Sequence, residues 1–445
     1  MRRTTSRILR GIALVSTLAL GVTACGGSDD DSDTKAVSAG DIQAALDKGG
    51  DITVWAWEPT LKTVAADFQK KYPKVKVNLV SERSGDKHYT ALSNAISAGK
   101  GVPDVAQVEY FALGQYSLTK GLSDLAPYGA DKLASKYTPG PWNAVSDGDK
   151  VYGLPMDSGP MALFYNKTVF DKYKIAVPTT WDEYLDAARK LHKADPKAYI
   201  ANDLGDAGFT TSLLWQAGSR PYKVDGTKVA IDFDDAGAKK FETVWQKLID
   251  EKLLAPVSGW TDDWYKGLGD GTIATLATGA WMPANFVSGV PNATGQWRAA
   301  AMPAWTQGDK ASAENGGSSL TVPALSQNKE LAYAFTEYAN AGDGVATRVG
   351  EGAFPATKAE LESPAFQSKK FDYFGGQEAN KIFAESAANV ASDWSYLPFQ
   401  PYANSIFNDT VGKAYVSGTT LAEGLKAWQD ASIKYGEEQG FTVEK

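Results

Sequence analysis

The alternation of apolar and polar residues predicts that the chain opens with a strand, a helix and a second strand. The residues of DITVWAW (51–57) alternate, which is typical of a strand, and KVKVNLV (74–80) repeats the pattern. Between them, apolar residues recur at helical spacing: Leu61, Val64, Ala65, Phe68 and Tyr72. A strand, a helix and a strand in this order predict a parallel sheet, and ligands bind at the carboxyl edge of such sheets.

Aromatic and acidic residues follow two of the predicted strands. Trp57 and Glu58 end the first strand, and Glu109 and Tyr110 follow the short strand VPDVAQV. Because the carboxyl ends of parallel strands share one edge of a sheet, these four residues are predicted to line that edge.

A segment rich in proline and glycine, PMDSGP (155–160), separates two further predicted strands. Because proline cannot donate to a strand ladder, we expect the chain to change from one sheet to another here. Asp157 and Ser158 lie in this crossover. Farther along, Thr180 and Glu183 have the spacing of a capping box, which predicts the start of a helix.

The second half of the chain supplies four more candidate residues. The segment GLGDGTIATLATGAW, which ends at Trp281, lacks the Lys-Ser/Thr pair of a phosphate loop, so it predicts a turn and a buried strand instead. Gly317 lies in GGSSLTVP, where glycine permits close approach of the backbone to a ligand. The loop WSYLPFQPY contributes Trp394 and Tyr396.

Length and composition limit the possible classes of protein. A chain of 445 residues is too long for one core, which favours two domains, and a formal charge of −8 argues against nucleic acid as a partner. The chain has one cysteine, Cys25, and two histidines, His88 and His192, both predicted to lie at the surface. This composition excludes an intramolecular disulfide and nearly excludes a His/Cys metal site, and no cofactor is predicted.

The first residues have the pattern of an export signal. Four arginines precede an apolar run that is shorter than the roughly 20 residues of a membrane-spanning helix, so residues 1–24 are predicted to be a signal peptide. The small residues before Cys25 resemble a bacterial lipobox, which implies cleavage there and lipidation of Cys25. Small and acidic residues follow, and they predict a solvated, flexible tether over 25–50.

The run 151–191 and the segment ending at Trp281 resemble the family 1 extracellular solute-binding proteins of bacterial ABC sugar importers, the family of maltose-binding protein. The resemblance extends over nearly the whole mature chain. It implies an α/β fold of two lobes, the type II periplasmic-binding-protein-like fold, with three crossovers and the ligand in the cleft between the lobes. The implied lobes are 51–157 with 320–354 (N-terminal) and 161–315 with 358–445 (C-terminal).

The resemblance also implies a function. The chain would be a monomeric, lipid-anchored receptor on the extracellular face of the membrane that binds an oligosaccharide and delivers it to the permease of an ABC transporter, without enzymatic activity. Sugars present C–H faces to aromatic rings and hydroxyls to carboxylates. In the family, an aromatic residue at the position of Trp281 packs on the sugar. The predicted ligand-binding residues are Trp57, Glu58, Glu109, Tyr110, Asp157, Ser158, Trp281, Gly317, Trp394 and Tyr396.

Two other functions remain compatible with the residues alone. A secreted glycosidase or lyase also uses a tryptophan-lined cleft with two carboxylates. A receptor for a quaternary amine, a polyamine or a peptide would use the same aromatic side chains to hold a cation.

Overall fold

The computed structural model describes residues 36–81, 85–391, 393–416 and 418–444. The predicted signal peptide, Cys25 and the first part of the predicted tether lie outside the described residues. None of the helices in the described part of the chain combines the length and the apolar character that crossing a membrane requires.

Helices and strands alternate through most of this part of the chain. The strands are β1 Gly50–Trp55, β2 Val75–Val80, β3 Val105–Glu109, β4 Ser146–Asp147, β5 Lys150–Val151, β6 Leu154–Pro155, β7 Met161–Asn166, β8 Ala201–Asn202, β9 Tyr222–Asp225, β10 Lys228–Ile231, β11 Leu254–Ala255, β12 Thr275–Gly279, β13 Trp297–Ala300, β14 Ser318–Thr321 and β15 Thr442–Glu444. The helices are α1 Ala39–Lys48, α2 Leu61–Lys71, α3 Gly85–Ala98, α4 Tyr110–Leu118, α5 Pro139–Val145, α6 Lys167–Tyr173, α7 Trp181–Ala194, α8 Ala207–Gln216, α9 Ala236–Asp250, α10 Asp262–Asp270, α11 Met282–Gly289, α12 Lys329–Ala341, α13 Gly344–Gly350, α14 Lys358–Leu361, α15 Pro364–Gln367, α16 Ala379–Ala388, α17 Gln400–Ser405, α18 Lys413–Val416 and α19 Leu421–Glu438.

The first sheet has the order β2-β1-β3-β14-β6. Strands β2 and β3 both pair in parallel with β1, as the strand–helix–strand pattern predicts, whereas β14 runs antiparallel to β3 and to β6. The pairing places Val54 opposite Leu79 and Val105, so the apolar positions of neighbouring strands face the same core. β14 comes from much later in the chain, which returns to this sheet through a crossover.

The second sheet has the order β12-β7-β13, with both neighbours antiparallel to β7. Beside it, β8 pairs in parallel with β11, and Tyr199, just before β8, bridges in parallel to Ile273, just before β12. Strand β6 belongs to the first sheet and β7 to the second, so the chain changes sheets across PMDSGP. This confirms the prediction that rested on its prolines.

The buried apolar side chains form separate cores. Residues from 46–156 and 320–356 contribute to one core, and residues from 161–313 and 354–433 contribute to two others. At the third crossover, between the implied lobe segments that end at 354 and begin at 358, Phe354 packs with the later residues and Ala356 with the earlier ones.

Local sequence signals account for several helix starts. The side chain of Thr180 accepts a hydrogen bond from the backbone N–H of Glu183 at 3.2 Å and caps α7, as its spacing predicts. The Glu183 carboxylate accepts from the backbone N–H of Thr179, one residue earlier than in the standard capping box.

Helix α1 lies inside the range predicted to be a tether, and that prediction is wrong for these residues. Ser38 and Asp41 form a reciprocal capping box that starts the helix, and Leu46 is buried in the first core. Leu46, with Ile42 and Ala45 beside it, gives too weak a periodic pattern to stand out in a segment of small and polar residues, but these contacts suffice where the helix packs on α12.

Candidate ligand-binding site

The carboxyl edge of the first sheet contains five of the predicted residues. Strands β1, β3 and β6 run in one direction, so their ends at Trp55, Glu109 and Pro155 lie on the same side. β14 runs the other way and therefore begins on that side, at Ser318. Trp57, Glu58, Glu109, Tyr110 and Asp157 all lie at these strand ends.

The second sheet presents a matching edge. The parallel pairings of β8 and β11, and of the residues before β8 and β12, place the carboxyl ends of these three strands on one side. β7 is antiparallel to β12, so its first residue, Met161, lies on that side too. The edge therefore begins where the crossover from the first sheet ends, and Trp281 follows β12 at this edge.

Hydrogen bonds join the crossover at 155–161 to the crossover at 312–318. The backbone N–H of Asn315 donates to the carbonyl of Gly159 at 2.8 Å, and that of Met156 donates to the carbonyl of Ser318 at 2.8 Å. The Oδ1 atom of Asp157 accepts from the backbone N–H of Ser318 at 2.6 Å. The two crossovers therefore lie side by side at the meeting point of the two sheet edges.

A buried carboxylate belongs to the same junction. Glu314 accepts from the Ser158 hydroxyl at 2.8 Å through Oε1 and from the backbone N–H of Gly159 at 2.6 Å through Oε2. Ser158 and Glu314 are both fully buried. Burial raises the pKa of Glu314 to about 7, although the two hydrogen bonds favour its charged form and oppose part of that rise.

A buried arginine, Arg348, lies close enough to Glu58 and Asp157 to act on both carboxylates. The Arg348 Nε atom is 3.9 Å from Glu58 Oε2, and its Nη1 atom donates to the carbonyl of Met156 at 2.7 Å. Burial raises the pKa of Asp157 above its ordinary value, and the Arg348 guanidinium opposes part of the rise. Each carboxylate uses one oxygen internally: Glu58 Oε2 accepts from Thr60, and Asp157 Oδ1 accepts from Ser318.

The other predicted residues of the first sheet edge all make contacts within the protein. Tyr110 is buried and donates its hydroxyl to the carbonyl of Asp157 at 2.6 Å. Glu109 accepts from the hydroxyl of Tyr89 at 2.9 Å. The Trp57 ring packs edge-on against His88, with 5.0 Å between ring centroids.

Gly317 and Trp281 lie at the second crossover. Gly317 has a φ of +100°, and a Cβ there would come within 2.5 Å of the Tyr110 ring, so the close approach that requires glycine is to Tyr110. Trp281 is half-buried and donates its Nε1–H to the carbonyl of Asn315 at 2.7 Å. Trp281 thus has its polar edge fixed by the crossover.

Trp394 and Tyr396 connect the two sides of the site. Trp394 is stacked on Trp215 with 4.7 Å between ring centroids, and the Tyr396 ring meets Trp215 at 5.0 Å. Tyr396 also approaches Phe111 of α4, at 6.5 Å between centroids. Phe111 packs against the first core and Trp215 belongs to the second, so Tyr396 lies between the two sides.

Sequence reasoning did not identify several residues of this region. The prediction that His88 lies at the surface was wrong, because α3 buries it between Trp55 and Trp57. Glu314 and Arg348 carry no local motif, and only long-range contacts place them in the junction. The missed residues are His88, Tyr89, Phe111, Trp215, Trp260, Glu314 and Arg348.

No group of three or more His, Cys, Asp or Glu side chains that could hold a metal ion occurs in the part of the chain that the structure describes. What the described site offers a ligand is a set of aromatic rings together with carboxylates and backbone groups. This combination suits a neutral, polyhydroxylated molecule with apolar faces.

Comparison with known proteins identifies the family. The sequence pattern of the family described as bacterial extracellular solute-binding protein matches residues 55–344. The chain belongs to this family. Its fold is accordingly the two-lobed fold of solute-binding proteins, which confirms the predicted fold class.

Two relatives with solved structures match this chain over nearly their whole length. One is an ABC transporter-associated binding protein from B. animalis subsp. lactis in complex with β-1,6-galactobiose, 48% identical with a TM-score of 0.82, covering 89% of this chain and 99% of that one. The other is the galacto-N-biose/lacto-N-biose I-binding protein from Bifidobacterium longum in complex with lacto-N-biose, 26% identical with a TM-score of 0.78, covering 89% and 99%.

A relative known by sequence is named for a different ligand. The arabinooligosaccharide-binding protein of Bacillus subtilis is 28% identical over 308 residues, which are 66% of this chain and 70% of that protein.

Proposed function

We propose that this solute-binding protein is the oligosaccharide receptor of an ABC importer. The observation that carries the proposal is the convergence of two sheet edges at a pair of hydrogen-bonded crossovers, the first edge bearing aromatic rings and carboxylates and the second bearing Trp281. The solved relatives named above are complexes with disaccharides, which supports a ligand of this class.

Galactose-containing disaccharides are the first ligands to test. The relative with 48% identity was solved with β-1,6-galactobiose, and the one with 26% identity with lacto-N-biose. Arabino-oligosaccharides form the comparison set, because the B. subtilis relative is named for them.

Among the predicted residues, Trp281, Glu58 and Asp157 have the geometry best suited to direct contact. The polar edge of Trp281 is fixed by Asn315, so its ring can pack on the C–H face of a sugar without losing its hydrogen bond. Glu58 and Asp157 each keep one carboxylate oxygen outside the described hydrogen bonds, and a carboxylate accepts readily from sugar hydroxyls. Direct contact by the other predicted residues stays part of the proposal: Trp57, Glu109, Tyr110, Ser158, Gly317, Trp394 and Tyr396.

The lobes are proposed to close on the ligand by rotation about the crossovers. Lobe boundaries of 51–157 with 320–354 and of 161–315 with 358–445 agree with the separation of the cores, with Phe354 and Ala356 marking the third crossover. The ligand would favour the closed state because it contacts both sheet edges only there.

The closed protein would pass its ligand to the permease subunits of the transporter. Lipid attachment at Cys25, after removal of 1–24, would keep the receptor at the extracellular face of the membrane, and a monomer suffices for this role. Enzymatic activity is not part of the proposal, since the two solved relatives are binding proteins.

The test is isothermal titration calorimetry of the purified protein with β-1,6-galactobiose, lacto-N-biose, arabinobiose, choline and spermidine. We expect a saturable heat with a disaccharide and none with the cations. Binding of the cations alone would favour the amine receptor. The titrated sugar is then analysed by chromatography. Release of monosaccharide would show that the protein is an enzyme and would overturn the receptor proposal.

A further inference from the structure

Trp260 lies at the same sheet edge as Trp281, although neither the predicted strand ends nor the crossovers include it. It follows β11, whose carboxyl end lies beside those of β8 and β12. Trp281 follows β12. The two tryptophans therefore come to one place from loops that follow strands of two neighbouring sheets, β11 of the β8–β11 pair and β12 of the second sheet.

The two rings are in direct contact. The centroids of Trp260 and Trp281 are 5.8 Å apart, and their planes differ by 28°, which is an offset stacked arrangement. Trp260 also contacts the ring of Trp264, with 5.0 Å between the ring centroids. Trp264 is buried, Trp281 is half-buried and Trp260 is 53% exposed, so the aromatic surface runs outward from the core through Trp260.

The backbone at Trp260 is unfavourable for a residue of this size. Its φ is +65°, in the left-handed region that bulky residues seldom adopt. Between Gly259 and Thr261, the N-cap of α10, glycine would adopt this backbone conformation at a lower free-energy cost than tryptophan. Neither the turn nor the core requires a tryptophan here, and strained positions of this kind concentrate where side chains contact ligands.

We propose that Trp260 is a second aromatic contact for the ligand beside Trp281, and that it selects ligands of two or more sugar units over a single one. The proposal rests on the oligosaccharide function proposed above. One indole ring covers about one pyranose face. The offset of the stacked pair leaves part of each ring uncovered, so the stepped surface of the two rings matches two linked sugars. A monosaccharide held at Trp281 would leave Trp260 unused.

The left-handed backbone allows a variant that removes the ring at a limited cost in stability. Trp260→Gly relieves the strain at φ +65° but loses the ring contacts with Trp264 and Trp281, so the two effects oppose each other and we expect only a small change in melting temperature. Trp260→Phe keeps a smaller aromatic face. Lys252→Gly is the matched control, since Lys252 is also left-handed, with φ +56°, but lies at the end of α9 rather than at the sheet edge.

The experiment compares calorimetric Kd values for β-1,6-galactobiose and galactose, or for arabinobiose and arabinose if only arabinosides bind. For Trp260→Gly we expect the disaccharide to bind about three- to tenfold more weakly and the monosaccharide to bind within twofold of the unmodified protein. Trp260→Phe should lose less than Trp260→Gly, and Lys252→Gly should change neither Kd.

Two results would overturn the inference while leaving the proposed function intact. One is unchanged disaccharide affinity in Trp260→Gly; the other is an equal loss for disaccharide and monosaccharide. Intact sugar binding in Trp260→Gly combined with loss of uptake in cells would assign Trp260 to the permease interface instead. If no sugar binds the unmodified protein, the proposed function fails, and the inference fails with it.

Discussion

Glu314 and Gly159 join the two central crossovers through a hydrogen bond of 2.6 Å, in which the backbone N–H of Gly159 donates to Oε2 of the glutamate. Glu314 is 1% exposed and has Ser158, not a cation, on its other oxygen. Burial raises its pKa to about 7, so the carboxyl at the junction changes its charge near neutral pH.

The first prediction concerns the pH dependence of stability. The pKa of Glu314 is about 7 in the folded protein against an ordinary value of 4.5, so the folded state holds the proton more tightly than the unfolded state. This contribution to the free energy of unfolding is complete below about pH 4.5 and is lost as the pH rises through 7, by roughly 3 kcal/mol at most. Urea unfolding between pH 5 and 8 measures it.

Two variants separate Glu314 from the other buried carboxyls. Burial also raises the pKa of Asp203, to about 6. Asp203 therefore lowers the free energy of unfolding with rising pH in the same way as Glu314, but over a lower pH range. Glu314→Gln imitates the protonated state, so it should match the unmodified protein at pH 5 and exceed it at pH 8. Asp203→Asn should flatten the curve only below pH 6. A constant offset for Glu314→Gln at every pH would show that Glu314 titrates normally.

The second prediction is that Trp281→Ala weakens sugar binding more than it destabilises the fold. The ring is half-buried, with its Nε1–H donated to Asn315, so truncation removes the proposed sugar platform and one hydrogen bond. We expect a loss of affinity of about tenfold or more, measured by calorimetry.

Trp428→Phe is the matched control for Trp281→Ala. Trp428 is fully buried in α19, and its Nε1–H donates to the carbonyl of Ala403. The variant therefore also loses one hydrogen bond of the indole. It should lower the melting temperature and leave Kd unchanged. A similar loss of affinity in both variants would mean that Trp281 acts through the fold.

The sequence was sufficient to predict the features that depend on local chemistry. Alternation predicted β1 and β2, the Thr180–Glu183 spacing predicted the start of α7, and the prolines of PMDSGP predicted the change of sheet. The strand ends predicted which loops would carry Trp57, Glu58 and Trp281 to the two edges.

Features set by distant contacts were not predictable in the same way. His88 is buried because Trp55 and Trp57 pack around it, and helix α1 is held by α12, nearly three hundred residues later. Arg348 meets Glu58 only after the chain has returned to the first sheet, so neither residue's sequence neighbours indicate the pair.

The third prediction tests this pair. Arg348 and Glu58 have side chains only 3% and 13% exposed, so removing one charge leaves the other buried without compensation. Arg348→Met should lower the free energy of unfolding by roughly 3 kcal/mol. It also removes the group that restrains the pKa of Asp157, so that pKa should rise further.

A double-mutant cycle with Glu58→Gln measures the coupling. If the two side chains interact, Arg348→Met with Glu58→Gln should cost less than the sum of the single changes. Strict additivity in urea unfolding would show that Arg348 stabilises the fold through partners other than Glu58: the Met156 carbonyl, the Asn340 side chain and the charge of Asp157.

The fourth prediction concerns Gly317→Ala. Two costs coincide at this residue: its φ of +100° disfavours any side chain, and an added Cβ would come within 2.5 Å of the Tyr110 ring. Because Tyr110 donates to the carbonyl of Asp157, moving its ring disturbs the neighbouring crossover as well. We expect a lower melting temperature together with weaker sugar binding, the latter measured by calorimetry.

Gly308→Ala isolates the backbone cost from the steric one. Gly308 has a φ of +84°, and a Cβ there would meet nothing within 4 Å, so this variant should cost only about 1 kcal/mol and should not change Kd. The difference between the two variants then reports the contact with Tyr110. If both lose the same stability and neither changes affinity, the Tyr110 ring moves aside freely, and the position of Tyr110 does not control the site.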